Sequence, residues 1–327
     1  MTNQAVRLPK VGITLGDPCG IGPEVLVKAW HSGQLHSICE PVLIGSCAVM
    51  REAARLCGFD MKVRAVERAM PDGERGTLDV IEPVDFDINQ IRYGEDLAYA
   101  GWAVGAWLEH ADLLARQGAL SASVMGPISS ASLELAGALG SVATNKDGGA
   151  YLLLRSGPLM IAHLTDHVPL SAVSALITRE GVLRLIRSVN AWMVDCGVTS
   201  RRIAIAGFNP HASGIEEQEQ IAPAVAIACS EGIDVSGPFS PDTVFRHCID
   251  GHYDIVLALY HDQGHIAMKT WGFSGNSVAM IGPPYVHTTV AHGVAYDLAG
   301  QGRADHTMML NSILNAASLA AGQGFQA

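Results

Sequence analysis

The sequence predicts an α/β protein built around a mostly parallel sheet. Short apolar runs alternate with helical segments almost from end to end of the 327 residues, and glycine or proline bounds most of these runs. Buried runs of this kind, each followed by a helix, are typical of parallel strands joined by crossover helices. The 35 glycines and the low aromatic content of 6% further indicate tight turns around an aliphatic core.

The first half of the chain alternates strands and helices in a regular order. Apolar runs predict strands at residues 10–15, 41–45 and 122–126, each ending at or beside a glycine. Helices are predicted for residues 23–30, for the segment ending at 57 and for the alanine-rich stretch 99–116. Proline suits the first turn of a helix, and an acidic residue complements the helix dipole there, which supports a helix beginning at Pro23-Glu24.

The second half repeats the same alternation. Apolar runs predict strands at residues 159–164, 202–207 and 253–260. Helices are predicted at residues 179–196 and 217–231, and a last one begins at about residue 305. No internal repeat or low-complexity tract interrupts this order, so the whole chain is expected to fold.

The length of the chain predicts two lobes. About 150 residues per domain gives two domains for a chain of this size. Because no linker separates two halves, we expect the chain to cross between the lobes more than once. Residues 1–125 plus 270–327 are assigned to the first lobe, and residues 126–269 to the second.

Charge and cysteine usage exclude several classes of protein. The net charge of −11 argues against a nucleic-acid or anionic-membrane partner. No apolar run is long enough for a transmembrane helix, and the first residues lack the apolar stretch of a signal peptide. The 7 cysteines are irregularly spaced without a CxxC pair, which makes a disulfide framework improbable. We therefore expect a cytoplasmic protein.

A glycine-rich loop, GDPCGIGPE at residues 16–24, joins the first strand to the first helix. Its glycines allow a sharp turn and a close approach of the backbone to a ligand. Loops at the carboxyl ends of strands bind ligands in α/β folds, which makes Asp17 a candidate substrate contact. The loop contains neither a GxGxxG fingerprint nor a Walker sequence, and a purely structural tight turn is the alternative.

Three histidines follow predicted strands, namely His167, His211 and His261. The cluster His-Asp-Gln-Gly-His at residues 261–265 leaves the most apolar strand, where such groups are costly to bury unless they bind something. His163 precedes His167 by four residues, or roughly 13 Å along a strand. At most one of these two is therefore expected to be a metal ligand, and His167 is better placed. A structural role is the alternative at each position.

Together with Asp242 and Asp262, these histidines predict a divalent-metal site. Imidazole suits Zn²⁺, Co²⁺, Ni²⁺ and Fe²⁺, and a mixed site also takes Mn²⁺. Three protein ligands with open positions are typical of a catalytic site. Lys269 follows His261 on the same segment, within reach of the same pocket. A metal there would polarise an alcohol or carbonyl oxygen, which is compatible with a dehydrogenase and with a hydrolase.

Several motifs together resemble the 4-hydroxythreonine-4-phosphate dehydrogenase (PdxA) family. These are GDPxGIGPE (16–24), His-x-Pro-Leu (167–170), NPHA (209–212), SPDTVF (240–245), YHDQG-x₄-K (260–269) and HG-x₃-DLAG (292–300). They extend over nearly the whole chain.

The resemblance implies an isocitrate/isopropylmalate-dehydrogenase-like fold and a homodimer with its active site in the interlobe cleft at the dimer interface. It implies that NAD or NADP binds without a dinucleotide fingerprint. By motif match, His167, His211 and His261 would hold the metal and Lys269 would contact the substrate. Family chemistry is oxidation of a secondary alcohol by hydride transfer, often followed by decarboxylation of the β-keto acid, and a metal on the alkoxide favours both steps.

One departure from the family lies in a substrate-binding segment. Where members acting on the phosphorylated amino acid carry Gly-His-Thr-Glu, this chain has VATNKDGG at residues 142–149. Thr144, Asn145 and Lys146 become the candidate substrate contacts there.

Other departures point to a second branch of the family. A substrate-binding arginine is replaced by His287, and an asparagine position falls on Val278. Histidine is a weaker and pH-dependent anchor for an anion, which disfavours a phosphate dianion. The segment HLTDH at residues 163–167, together with His265, is similar to the dihydrodiol dehydrogenases of terephthalate breakdown.

We therefore predict a divalent-metal-dependent (Zn, Mg, Mn or Co), NAD(P)-linked dehydrogenase that oxidises a small anionic hydroxy acid or dihydrodiol carboxylate, with decarboxylation. Asp242 or Asp262 would orient a ligand histidine or the substrate, and Lys269 would bind the substrate anion or transfer a proton. The alternatives are a 4-hydroxythreonine-4-phosphate or phosphothreonate dehydrogenase, a metal-dependent hydrolase and a non-catalytic binding protein.

Overall fold

A computed structural model describes residues 8–68, 76–142, 150–272 and 276–326. The strands, in chain order, are β1 (Lys10–Thr14), β2 (Glu40–Ile44), β3 (Lys62–Ala65), β4 (Thr77–Ile81), β5 (Ala122–Met125), β6 (Tyr151–Ser156), β7 (Leu159–His163), β8 (Ile203–Ala206), β9 (Val235–Phe239), β10 (Ile255–Ala258), β11 (Ser277–Ile281) and β12 (Val286–Thr289). The α-helices are α1 (Gly22–His31), α2 (Cys47–Leu56), α3 (Ala98–Arg116), α4 (Ser130–Leu135), α5 (Leu170–Leu176), α6 (Arg179–Asp195), α7 (Ala222–Ser230), α8 (Val244–Ile249), α9 (His261–Trp271) and α10 (Thr307–Ala320).

The chain divides into two compact units. Unit 1 comprises residues 1–148 and 283–326, and unit 2 comprises residues 149–282. The boundaries therefore lie at 148/149 and 282/283, whereas the sequence placed them at 125/126 and 269/270. The first difference arises because α4 packs on α3 and stays with unit 1. The second arises because β11 pairs with β6 and so belongs to unit 2.

Unit 1 is a parallel sheet with helices packed on it. Its strand order is β3-β4-β2-β1-β5-β12, and every neighbouring pair is parallel. Every residue of β4 and β5 is buried, as expected for strands covered on both faces. Helix α3 closely matches its prediction and places Trp107 at 0% exposure in the core.

Unit 2 has a mixed sheet. Its order is β11-β6-β7-β10-β8-β9, in which β7, β10, β8 and β9 are parallel neighbours. Strand β6 runs antiparallel to both β7 and β11, which the prediction of a parallel sheet did not include. The reason is the two-residue connection Gly157-Pro158 between β6 and β7, because so short a link joins only antiparallel strands.

Two predicted elements of unit 2 differ from the structure. The predicted helix 217–231 is a π-helical turn, Glu217–Ile221, followed by α7. The predicted strand 253–260 is shorter, Ile255–Ala258, and the polar segment after it begins α9, a helix that the sequence did not predict. A membrane-spanning helix is not found in the part of the chain that the structure describes.

Candidate metal centre

The candidate site is built at the carboxyl ends of three adjacent strands of unit 2. Strands β7, β10 and β8 are parallel neighbours, so their carboxyl ends lie at the same edge of the sheet. His163 is the last residue of β7 and His167 follows in the next turn. His261 begins α9 shortly after β10, and His211 lies in a turn after β8. Strand ends at such an edge are where α/β sheets bind ligands.

Two of the three predicted metal ligands lie together. The ring centroids of His167 and His261 are 5.1 Å apart. Among the described residues, Asp166, His167 and His261 form a group whose ligand atoms all lie within 4.8 Å of one another. These side chains line an open cavity of about 220 Å³, together with Tyr260 and Leu170. Asp166 is the member of this group that the sequence analysis did not single out.

The side chain of Asp262 sets the orientation of His261. The Nδ1–H of His261 donates to Asp262 Oδ1 at 2.7 Å. This hydrogen bond lowers the pKa of the Asp262 carboxyl below its usual value, so Asp262 remains a carboxylate. With the proton held on Nδ1, the Nε2 lone pair of His261 is available to a metal ion, an arrangement typical of metal-binding histidines. The donor set therefore fits a divalent cation.

His163 and His265 form a second pair of imidazoles beside this group. The ring of His265 stacks on that of His261 at 3.7 Å and lies 4.9 Å from that of His163. Both donate from Nδ1 to a backbone carbonyl, His163 to Leu152 at 3.2 Å and His265 to His261 at 3.0 Å. Burial, aided by the neighbouring histidines, lowers the pKa of His163 to about 3 and that of His265 to about 4. Both rings are therefore neutral at physiological pH.

The assumption that separated His163 from His167 is wrong. Strand β7 ends at His163, and the chain turns before His167, so the spacing of an extended strand does not apply. The rings of His163 and His167 lie 6.4 and 5.1 Å from that of His261, respectively. Sequence spacing failed here because the distance per residue of an extended strand was applied to residues that follow the end of β7.

His211 lies outside the group of three in the described part of the chain. It occupies the short turn Pro210–Ala212 with a positive φ of 61°, and its side chain is exposed. The buried carboxylate of Glu217 accepts hydrogen bonds from the backbone N–H groups of Phe208, Asn209 and Gly214 at 2.7–2.8 Å. These bonds outweigh the effect of burial and lower the pKa of Glu217. Glu217 thus fixes the loop that carries His211.

An amide side chain joins two of the strand ends. Gln263 accepts from the backbone N–H of Leu259, after β10, at 2.7 Å. It donates to the carbonyl of Gly207, after β8, at 2.8 Å. The loop that leads to His211 and the helix that begins with His261 are therefore linked directly through one residue.

The other catalytic candidates occupy different positions in unit 2. Lys269 follows His261 and His265 at intervals of four residues along α9, so all three share one helix face. Its side chain is exposed. Asp242 is exposed in the turn before α8, and it is not a member of the group of three found among the described residues.

The substrate contacts predicted in unit 1 are buried or lie outside the described residues. Asp17 is 0% exposed, accepts from the backbone N–H of Cys19 at 2.8 Å, and has a pKa raised by burial. His287 is 3% exposed in β12. Thr144, Asn145 and Lys146 lie outside the described residues. Their contact with a substrate stays a prediction.

The burial of His287 predicts a loss of stability in acid. Burial lowers its pKa from 6.5 to about 4, so between these values the unfolded chain binds a proton that the folded chain does not. Stability is therefore present above pH 6.5 and lost as the pH falls toward 4. At pH 4.5 the loss amounts to about 2–3 kcal/mol relative to pH 7.5. Urea unfolding at the two pH values should show that His287→Leu removes this loss. His252→Leu, at an exposed position, should not remove it, and equal pH dependence in all three proteins would contradict the prediction.

Comparison with known proteins identifies close relatives. The family model described as "Pyridoxal phosphate biosynthetic protein PdxA" matches residues 37–316. A protein of Novosphingobium aromaticivorans that carries the name 4-hydroxythreonine-4-phosphate dehydrogenase is 47% identical over 97% of both chains. A protein of Symbiobacterium thermophilum that carries the name D-threonate 4-phosphate dehydrogenase is 36% identical, over 96% of this chain and 97% of its own length.

Solved structures show the same fold. A 4-hydroxythreonine-4-phosphate dehydrogenase of Klebsiella pneumoniae matches with a TM-score of 0.86 and 32% identity, over 98% of this chain and 99% of its own. A terephthalate 1,2-cis-dihydrodiol dehydrogenase of Burkholderia xenovorans matches with a TM-score of 0.69 and 29% identity, over 95% and 98%. A β-decarboxylating dehydrogenase of Thermococcus kodakarensis, 16% identical over 98% and 92%, has a TM-score of 0.51. The last is a likeness of fold alone, and it agrees with the isocitrate/isopropylmalate-dehydrogenase-like architecture predicted from the sequence.

Proposed function

The chain belongs to the PdxA family, and from this premise we propose that it is a divalent-metal-dependent, NAD(P)-linked dehydrogenase of a phosphorylated hydroxy amino acid, 4-hydroxythreonine 4-phosphate. Membership confirms the predicted enzyme class, an oxidoreductase acting on a CH–OH group. The observation that carries the proposed site is the group of Asp166, His167 and His261 at the strand ends of unit 2, with ligand atoms within 4.8 Å of one another.

The proposed substrate differs from the one that the sequence favoured. The departures at residues 142–149 and at His287 favoured an unphosphorylated hydroxy acid or a dihydrodiol. Against this, the relative at 47% identity carries a name with a phosphorylated substrate, and the dihydrodiol dehydrogenase structure is the less similar of the two family structures described above. We therefore retain the oxidation of a secondary alcohol and prefer the phosphorylated substrate. D-threonate 4-phosphate is the second candidate, because it appears in the name of the relative at 36% identity.

The proposed reaction assigns a role to each of four side chains of unit 2. His167 and His261 would hold the cation, which when bound polarises the alcohol oxygen and lowers the pKa of its proton. Asp262 keeps the proton of His261 on Nδ1, so that the Nε2 lone pair would be free to bind the cation. Lys269, on the same face of α9 as His261, supplies a positive charge for a carboxylate or phosphate of the substrate. A bound NAD or NADP would supply the acceptor for the hydride, and the protein would orient the reacting carbon.

We also propose a homodimer in the cytoplasm. Family membership supports the dimer, and the cysteines support a reducing compartment, because all seven lie in the described part of the chain and none forms a disulfide there. The net charge of −11 supports the prediction that nucleic acid is not a partner.

Turnover of a substrate panel tests the proposed function. NADH and NADPH formation would be followed by absorbance with 4-hydroxythreonine 4-phosphate, D-threonate 4-phosphate and a cis-dihydrodiol carboxylate. We expect the highest kcat/KM with 4-hydroxythreonine 4-phosphate. Removal of metal by a chelator should lower this kcat/KM by about a hundredfold or more, and added Zn²⁺, Mn²⁺, Co²⁺ or Mg²⁺ should restore it.

The same assay separates the alternatives. If kcat/KM is highest with D-threonate 4-phosphate, the second candidate is the substrate. If kcat/KM is highest with the cis-dihydrodiol carboxylate, the substrate class favoured by the sequence is the correct one. Metal-dependent consumption of a substrate without reduced nicotinamide would instead establish a hydrolase. Turnover that is unaffected by complete removal of metal would contradict the proposed mechanism.

A further inference from the structure

Asp166 places a carboxylate oxygen among the histidines of unit 2. Its Oδ1 is buried and has no hydrogen-bond partner among the described residues. This oxygen lies 3.3 Å from Nδ1 of His167, close enough for an electrostatic contact but without the alignment of a hydrogen bond. The side chain of Asp166 as a whole is 35% exposed, and Asp166 is one of the residues that line the cavity.

A buried carboxylate oxygen without a partner is costly. The buried oxygen loses its hydration, and nothing in the described surroundings returns a hydrogen bond to it. A cation shared with neighbouring ligands would remove this cost. The neighbours are suitable, because Asp262 leaves Nε2 of His261 free to bind and His167 lies next to Asp166 in the chain.

The distances suit a shared metal ion. Ligand atoms at about 2.0–2.2 Å from a cation lie roughly 3–4 Å from one another. The ligand atoms of Asp166, His167 and His261 already lie within 4.8 Å of each other, so small side-chain rotations bring them to these separations. Two imidazoles and one carboxylate leave positions open for a substrate oxygen.

We propose that Asp166 is a direct ligand of the divalent metal ion, so that this chain binds its cation through a carboxylate as well as imidazoles. The proposal rests on the metal dependence proposed above and deepens it. A carboxylate is a harder donor than imidazole and lowers the net charge of the site by one. Compared with a site built from histidines alone, this site gains affinity for Mn²⁺ or Mg²⁺ relative to Zn²⁺.

A different role for the same residue makes different predictions. If Asp166 only orients His167 through the contact with Nδ1, its loss weakens metal binding without changing the set of coordinated atoms. Asp262 provides a matched control, because it orients His261 through a hydrogen bond to Nδ1 and carries the same charge as Asp166. Comparing the two substitutions separates the loss of a ligand from the loss of a nearby negative charge.

The experiment is a titration of the metal-free protein with Co²⁺ alone, followed by visible d–d absorption and calorimetry. Asp166→Asn is expected to weaken Co²⁺ binding by more than about a hundredfold and to change the position and intensity of the absorption bands. Asp262→Asn is expected to weaken binding by about tenfold with the bands unchanged. The ratio of Mn²⁺ to Zn²⁺ affinity should fall in Asp166→Asn and not in Asp262→Asn.

Three outcomes would overturn the proposal. The first is a Co²⁺ spectrum of Asp166→Asn identical to that of the wild type, whatever the affinity, since that result assigns Asp166 an orienting role. The second is an affinity within about threefold of wild type, and the third is an absence of Co²⁺ binding by the wild-type protein. The titration uses no substrate, so failure of the turnover panel would refute the proposed function without affecting the result for Asp166. Conversely, an active enzyme whose Asp166→Asn variant has an unchanged Co²⁺ spectrum would refute only the role of Asp166.

Discussion

Replacing His261 by alanine is expected to abolish binding of the divalent metal and to lower kcat/KM by about a thousandfold, equivalent to about 4 kcal/mol of transition-state stabilisation. His261 lies at the centre of the site. It contacts Asp262 through Nδ1, stacks on His265 at 3.7 Å and lies 5.1 Å from His167 between ring centroids. Its side chain is 29% exposed, so the substitution leaves no closed cavity, and the protein should remain folded. Metal content after dialysis and steady-state kinetics measure the two effects.

Two further substitutions make this result specific. His247→Ala removes an exposed histidine from α8 in the same unit and should leave metal content unchanged. His211→Ala tests the remaining predicted ligand, since a loss equal to that of His261→Ala would place His211 in the ligand set despite its separate position in the described structure. Wild-type metal content in His261→Ala would remove the proposed centre altogether.

Introducing a methyl group at Gly264 is expected to destabilise the protein by about 3 kcal/mol and to weaken metal binding. A Cβ at this position would lie 2.1 Å from Nε2 of His163 and 2.8 Å from Cγ2 of Ile161. Both neighbours are buried on β7, so neither can move into solvent. Helix α9 must therefore lift from the strand, and this displaces His261 and His265. The overpacking outweighs the gain of about 1 kcal/mol in helix propensity from glycine to alanine.

The measurement is urea unfolding of the metal-free protein, together with Co²⁺ affinity. Gly140→Ala serves as the control, because a Cβ there meets nothing within 4 Å and the residue is exposed. It should leave both quantities unchanged. A midpoint for Gly264→Ala at or above that of the wild type would show that the approach of α9 to β7 is looser than the structure indicates.

The sequence could predict that two of the candidate ligands lie close together, because parallel strands bring their carboxyl ends to one edge of a sheet. His167 and His261 each follow an apolar run, and the structure places them together at that edge. Asp166 was missed because a single carboxylate beside a histidine has no spacing that distinguishes it from a solvated residue. Only the fold shows that its Oδ1 is enclosed and unpaired in the described surroundings.

The local errors have a common physical origin. Helix α9 was not predicted, because its first residues, His261 to His265, are polar and contain glycine. Packing of the helix on β7 and β10 outweighs this weak local propensity. The antiparallel pairing of β6 with β7 was missed because it depends on a two-residue turn that reverses the direction of the chain. Periodicity detects buried runs, but it does not give the direction in which neighbouring strands run.

The amide of Gln263 has a consequence for how the metal enters and leaves. Its two hydrogen bonds connect the end of β10 to the end of β8. The loop that carries His211 and the helix that begins with His261 are therefore held together by the polypeptide itself, so fixing these two segments adds little conformational entropy cost to binding of the proposed ion. Exchange of the proposed ion should accordingly be reversible, and it should not require unit 2 to refold.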